Sequence, residues 1–249
     1  MKICLDIGNT NTKLANFVNN SIENLVVFSE IYKALEYIVI NKAQISKIFI
    51  SSVVPANTAK FKALSDRNEI PFCEINYKSP FSFLIIYNTP ETLGIDRLCG
   101  MEGAIAFVEE KKKSFENKPI VTIDFGTATT INILSPQNEF IGGAIAPGVV
   151  TMIKSLNENT SQLPDISSSS FTEEIGTDTI SSISSGVINS QIGLISQLVY
   201  KTTMKYNTDP IVLTTGGNFH LIKEYIKIVH NHEENLVLKG INSLKNKIK

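Results

Sequence analysis

The sequence predicts an α/β protein made of two similar halves, and three observations carry that prediction. The first is a repeated turn. Asp6-Ile7-Gly8-Asn9-Thr10 follows the apolar run Ile3-Cys4-Leu5, and Asp124-Phe125-Gly126-Thr127-Ala128-Thr129 follows Ile120-Val121-Thr122-Ile123. Each turn leads into a second apolar run, so each reads as strand, tight turn, strand, with a carboxylate closing the first strand. The glycine admits close backbone approach, and the turn N–H groups can face phosphate oxygens. The second observation is the separation of the two turns, about half of the 249-residue chain, as a duplication requires. The third is the order of elements that follows each turn.

In the first half, strands are expected near 2–8, 12–18 and 23–28, a helix near 30–42, a strand at 47–51, a helix near 57–67 and a strand near 71–75. Leu14, Phe17 and Val18 suit the second strand, while Tyr32, Leu35, Ile38 and Val39 recur at helical spacing. Ser51-Ser52-Val53-Val54-Pro55 closes the fourth strand. Residues 76–93, with Pro80 and Pro90, read as irregular, and a helix from 94 to 112 leads to the second half. There, strands near 119–124, 129–135 and 138–145 precede a helix from Pro147 to Asn157. Ser167 to Ser170 reads as a mobile loop. A long helix spans 176–205, with Ile180, Ile183, Val187, Ile188, Leu194, Ile195 and Leu198 as its apolar stripe. A strand at Ile211-Val212-Leu213 ends in Thr214-Thr215-Gly216-Gly217-Asn218, and the remainder reads as helix, a short strand near 236–238 and a helical tail. Three strands followed by alternating helix and strand, twice, is the order of two ribonuclease H-like domains (duplicated βββαβαβα), placed at 1–115 and 116–249.

Composition narrows the function classes. With 23 basic and 24 acidic residues the net charge is −1, and 43% of residues are hydrophobic, which allows a core in each half and gives no electrostatic footprint for nucleic acid. The basic run Lys111-Lys112-Lys113 reads as a solvated helix end. Only Arg67 and Arg97 are arginines. In a lysine-biased chain, Arg97 beside Asp96 suits a place that needs the planar bidentate fork of guanidinium, whereas Arg67 reads as surface. Cys4, Cys73 and Cys99 are odd in number and widely spaced, so reduced thiols in a cytoplasmic protein are expected, with Cys4 and Cys73 in the core. Met1-Lys2-Ile3 enters a strand at once, so no signal peptide is expected, and no apolar run reaches the roughly 18 residues of a membrane span. His230 and His232 read as loop residues rather than metal ligands.

Between the loops lie Tyr87, Gly94-Ile95-Asp96-Arg97, Gly142-Gly143-Ala144-Ile145-Ala146-Pro147-Gly148 and Ile175-Gly176-Thr177-Asp178-Thr179. In this order, and with the two Asp-x-Gly turns, the sequence closely resembles type III pantothenate kinases of the actin-like ATPase and sugar-kinase superfamily. The resemblance runs from residue 1 to about 220. It implies a nucleotide in the cleft between the halves, with Thr214 to Asn218 as the adenosine-side loop, although alone that segment reads as a turn. It further implies a cytoplasmic homodimer that phosphorylates pantothenate with ATP, in the first step of coenzyme A synthesis.

The resemblance assigns roles residue by residue. Asp6, Ile7, Gly8, Asn9, Thr10, Asn11, Thr12 and Lys13 would cradle the ATP phosphates, with Asp6 on magnesium or its waters. Read from the residues alone, Lys13 is equally an outward strand lysine. Asp96 would be the general base, where the residue alone also suits a helix N-cap. Arg97 would hold the pantothenate carboxylate, and Tyr87, Gly94, Ile95 and Thr179 would shape the pocket, completed across the dimer interface. Thr127 would contact ATP. The repeated turn alone makes Asp124 a second magnesium-side carboxylate or a water positioner, while the resemblance implies a monovalent cation there, K⁺ or NH₄⁺. One departure is Gly100, where many relatives carry a larger residue, which leaves room for altered packing beneath the pocket. The alternatives are a kinase for another small alcohol, or a non-catalytic regulatory or transcription-accessory relative. Retention of Asp6 and Asp96 speaks against the latter.

Overall fold

The structure is a computed structural model and describes residues 1–111 and 117–248. In chain order it comprises β1 (Lys2–Ile7), β2 (Thr12–Val18), β3 (Ser21–Phe28), α1 (Ile31–Ile40), β4 (Lys47–Ser52), α2 (Pro55–Arg67), β5 (Phe72–Glu74), the two-residue β6 (Leu84–Ile85) and α3 (Ile95–Glu110). There follow β7 (Ile120–Phe125), β8 (Ala128–Leu134), β9 (Glu139–Pro147), α4 (Val149–Asn159), α5 (Thr179–Tyr206), β10 (Ile211–Thr215), β11 (Asn231–His232) and α6 (Leu236–Lys247). Lys112 and Lys113 of the basic run lie outside the described residues. Among the described residues no helix is long and apolar enough to cross a membrane.

The chain divides into two compact units, Met1–Ser114 with Asn235–Lys249, and Phe115–Glu234. In the first, the sheet order is β3-β2-β1-β4-β5, with β2 antiparallel to its neighbours and β4 and β5 parallel to β1. In the second, β9-β8-β7-β10-β11 repeats that order and those directions. The duplication is therefore one of topology as well as of turns.

Alternation along β1 decides what each face of the first sheet does, because successive side chains point to opposite faces. Ile3, Leu5 and Ile7 join Ile48 and Ile50 in a core with Ala34 and Ile38 of α1 and Phe61 of α2. Tyr32 and Val39, expected on the buried stripe of α1, are exposed. Cys4 is fully buried on the opposite side, whereas Cys73 on the short strand β5 is only half-buried. Arg67 ends α2 and is exposed, as expected of a surface residue.

The C-terminal segment departs from the sequence reading. Leu236-Val237-Leu238, expected as a strand in the second half, forms the first turn of α6, which belongs to the first unit and packs along α3. Two glycines permit the crossing. A Cβ on Gly103 would lie 1.9 Å from the carbonyl oxygen of Leu236, and one on Gly240 would lie 1.8 Å from that of Cys99. Gly100 is not part of this contact, since a Cβ there would meet only Val237 Cγ2 of α6 at 3.9 Å. Its neighbour is thus α6 and not the residues expected to bind substrate.

A buried carboxylate fastens the same pair of helices. Glu102 of α3 is 1% exposed. It accepts the Ser82 N–H at 2.8 Å, the Ser82 hydroxyl at 3.1 Å, the Ser243 hydroxyl at 2.7 Å and the Lys247 ammonium at 2.5 Å. Lys247→Met removes the cation but leaves the other donors. The expected loss is about 1–3 kcal/mol, because a buried charge is left incompletely paired. Urea unfolding measures it, and Glu102→Gln added to Lys247→Met is expected to recover part.

In the second unit, Val121, Ile123, Phe125 and Val212 pack with Val149 and Ile153 of α4 and with Ile183, Val187, Ile188 and Ile195 of α5. The α5 stripe is therefore mostly core. Ile180, Tyr200 and Met204 remain exposed on that helix. Asp178, rather than residue 176, starts it, since its carboxylate accepts the Ser181 N–H at 3.0 Å in a capping box. Ser168–Ser170 form a short 3₁₀ turn where a mobile loop was expected. The stretch expected as helix after Asn218 contains two such turns, Phe219–Leu221 and Lys223–Tyr225, before β11.

Candidate active site

The first unit places a carboxylate where β1 stops. Asp6 is half-buried, with Lys13 of β2 and Ser51 of β4 as its register partners on either side. Directly opposed residues share a face of the sheet, so Lys13 lies on the carboxylate's side. Gly8 N–H donates to the Asn11 carbonyl at 3.0 Å and closes the turn. This leaves Asn9, Thr10 and Asn11 exposed at its tip, while Ile7 and Thr12 are buried beneath.

The Gly94-Ile95-Asp96-Arg97 segment forms the start of α3. Gly94 occupies the N-cap position without a side-chain cap, so Asp96 lies inside the first turn and is not the capping residue. Its Oδ1 accepts the Arg97 N–H at 2.8 Å. Burial raises the Asp96 pKa above the ordinary carboxylate range, and the Arg97 N–H and guanidinium offset part of the rise. Arg97 is 6% exposed. Ile95 is buried, and Tyr87 in the preceding irregular segment is half-buried.

One residue that the sequence reading did not single out feels the charge of both Asp6 and Asp96. The Cys99 thiol, one turn beyond Asp96, is buried, and burial pushes its pKa well up. The carboxylates of Asp6, Asp96 and Glu102 push it further, while the adjacent Ser51 hydroxyl acts the other way. Ser51 Oγ is itself fully buried and makes no hydrogen bond of good geometry; a thiol is at best a weak partner. The signal available in the sequence was positional, because Ser51 ends the strand that pairs with β1.

The second unit repeats the arrangement with different chemistry. Asp124 ends β7, half-buried, and its register partners are Thr130 and Thr215. A threonine thus stands where the first unit has Lys13. Gly216, with φ 99°, is pressed against this carboxylate: a Cβ there would lie 2.3 Å from Asp124 Oδ1 and 2.5 Å from the Phe125 nitrogen. Asn218 fastens the two loops, its N–H donating to the Phe125 carbonyl at 2.9 Å and its side-chain amide to the Gly126 carbonyl at 3.0 Å. The Gly216-Gly217 segment is therefore more than a free turn. Thr127 is exposed, and its carbonyl accepts the Gly148 N–H at 2.9 Å and the Thr151 hydroxyl at 2.6 Å. Thr179 is the exposed first residue of α5.

The histidines have a local explanation. His232 lies in β11 rather than a loop and stacks on Phe219 at 4.0 Å, and its pKa is lowered by burial. His230 meets the same ring edge-on at 5.8 Å. Among the described residues no group of three or more His, Cys, Asp and Glu could hold a metal. A hard cation held by one carboxylate together with substrate phosphates needs no such group, and Asp6, half-buried at a strand end beside an open turn, fits that use. Asp124 likewise is a half-buried carboxylate near a strand end, which the absence of a side chain on Gly216 accommodates.

Against this geometry, a model of the type III pantothenate kinase family matches residues 2–201. The chain belongs to the type III pantothenate kinase family. A type III pantothenate kinase from Sulfurihydrogenibium sp. is 30% identical over 254 residues, covering 97% of this chain and 98% of the relative. Among solved structures, a Campylobacter jejuni protein of the Baf transcriptional-activator family aligns with TM-score 0.68 and 21% identity, over 98% of each chain. The activator of 2-hydroxyisocaproyl-CoA dehydratase from Clostridium difficile, with bound ADPNP, aligns with TM-score 0.54 and 14% identity, over 100% of this chain and 98% of that one. These likenesses show the fold, which is that of actin-like ATPases and sugar kinases.

Proposed function

We propose that Asp96 is the general base with which this pantothenate kinase transfers the γ-phosphoryl group of ATP to the terminal hydroxyl of pantothenate, giving 4'-phosphopantothenate. The observation that carries this reading is the placement of Asp96 in the first turn of α3, its Oδ1 accepting the N–H of the buried Arg97, in the same unit as the Asp6 turn.

Phosphoryl transfer needs alignment and charge neutralisation more than covalent help. The turn amides from Asn9 to Asn11, with the Asn9 and Thr10 side chains, are assigned to the phosphates, and Lys13 supplies countercharge from the face it shares with Asp6. Thr127, at the tip of the second turn, is assigned an ATP contact. Asp6 would hold magnesium directly or through its waters, and a magnesium ion there neutralises charge on the phosphates. Asp124 would hold K⁺ or NH₄⁺, and such a cation supplies the positive charge that a turn with Thr130 in place of a lysine lacks. Arg97 is assigned the pantothenate carboxylate, which a guanidinium fork grips bidentately, with Tyr87, Gly94, Ile95 and Thr179 shaping the pocket. A cytoplasmic homodimer fits the family, and Tyr200 and Met204, one helical turn apart and exposed on α5, are apolar surface that an interface could cover.

The test is ADP release by purified protein with ATP and magnesium, with and without pantothenate, in potassium and in sodium salts. Pantothenate-dependent release that requires potassium, and that Asp124→Asn abolishes, is expected. Equal rates in the two salts would overturn the assignment of Asp124. Release indifferent to pantothenate would overturn the assignment of the acceptor residues.

A further inference from the structure

Gly94 has φ −57° and ψ 121°, a conformation open to any residue. The main chain does not demand a glycine here, so the absent side chain has another consequence. A Cβ at position 94 would lie 2.5 Å from Asp96 Oδ1, whereas its next neighbours, Arg97 Cδ and Asp96 Cγ, stand at 3.7 Å, ordinary contact distance. The one atom that occupies the vacant space is the carboxylate oxygen that accepts the Arg97 N–H.

We propose that Gly94 is a positioning residue for the base: it vacates the space in which Asp96 Oδ1 is pinned to the Arg97 amide, and so commits Oδ2 to the acceptor hydroxyl. This rests on the reading of Asp96 given above. As the hydroxyl oxygen bonds to the γ-phosphorus, its proton passes to Oδ2. The bond from the γ-phosphorus to the bridging oxygen breaks, and ADP leaves with that electron pair. The charged group that acts on the carboxylate is Arg97; Cys99, one turn on, feels the charge of Asp96 and, from β1, of Asp6.

Gly94→Ala separates this role from a structural one. The obstruction is the end of a side chain and not backbone, so the variant is expected to fold with the Asp96 carboxylate displaced, melting slightly lower because alanine caps a helix less well than glycine. Its kcat is expected to fall roughly ten- to a hundredfold, as misplacing a reacting group by an ångström does, with KM for ATP unchanged. The Arg97 N–H favours the charged carboxylate. Losing that bond moves the acid limb of the kcat/KM profile for pantothenate to higher pH, since activity requires the ionised base.

An unchanged kcat and acid limb would overturn the inference, and so would a loss of kcat with the limb unmoved. If Gly94→Ala melts much lower than a weakened cap explains, adding Asp96→Ala is expected to restore most of the difference, and a large loss that Asp96→Ala leaves untouched also overturns the inference. Asp96→Asn, assayed alongside, keeps the two readings apart. Wild-type turnover in Asp96→Asn removes the base itself, whereas a collapse there with a normal Gly94→Ala removes only the role of Gly94.

Discussion

Asp96→Asn is expected to lower kcat for pantothenate phosphorylation by about 10²–10⁴, the usual contribution of a positioned general base, and to leave ATP binding intact. The same substitution is expected to hold or raise the melting temperature at neutral pH. Burial raises the Asp96 pKa in the folded chain, so the folded state retains a proton that the unfolded chain has released. The resulting penalty is absent below the unfolded value of about 3.9, grows as pH rises towards the folded value, and is complete above it. Asparagine, with no charge to desolvate, escapes it. Calorimetry at pH 7 and steady-state kinetics on one preparation check both halves of this expectation. A variant that loses activity because it unfolds would contradict the assignment of Asp96 as a base.

Gly240→Ala is expected to cost about 3 kcal/mol or more, at the upper end of what overpacking a close contact costs. The new Cβ would sit 1.8 Å from the Cys99 carbonyl oxygen, and that backbone is part of α3 and cannot swing aside like a side chain. Gly100→Ala, three positions before Gly103 on the same helix, is the control. Its Cβ would meet only Val237 at 3.9 Å, so the helix propensity of alanine acts alone and the variant gains up to about 1 kcal/mol. Urea unfolding of the two variants should therefore give changes of opposite sign. If Gly240→Ala unfolds like the wild type, the close crossing of α3 and α6 is wrong.

Those two glycines also mark where sequence reasoning stops. The turns at Asp6 and Asp124 were legible because a carboxylate, a glycine and hydroxyl or amide side chains between apolar runs form a local pattern. The strand orders follow from the same repeat. The return of α6 to the first unit had no local signature. Leu236-Val237-Leu238 is as good a strand as a helix turn, and its partner Gly103 lies far away in sequence. Glu102 was hidden for the same reason, since Ser82, Ser243 and Lys247 meet it only after the chain has folded. Asp96 and Arg97 could be singled out from sequence, but the consequence of Gly94 could not, because it depends on which way a carboxylate turns. Ser51 was read only as a strand end and Cys99 only as one of three widely spaced thiols, because no local pattern shows that β4 and α3 pack together.

The central claim is that this chain moves the γ-phosphoryl of ATP onto pantothenate with Asp96 taking the proton. Its most direct test is mass spectrometry of the small molecules after incubation with γ-¹⁸O-labelled ATP, magnesium, potassium and pantothenate. Labelled 4'-phosphopantothenate formed by the wild type and almost absent with folded Asp96→Asn is the predicted result. Unmodified pantothenate beside labelled inorganic phosphate, or equal product from both proteins, would contradict it.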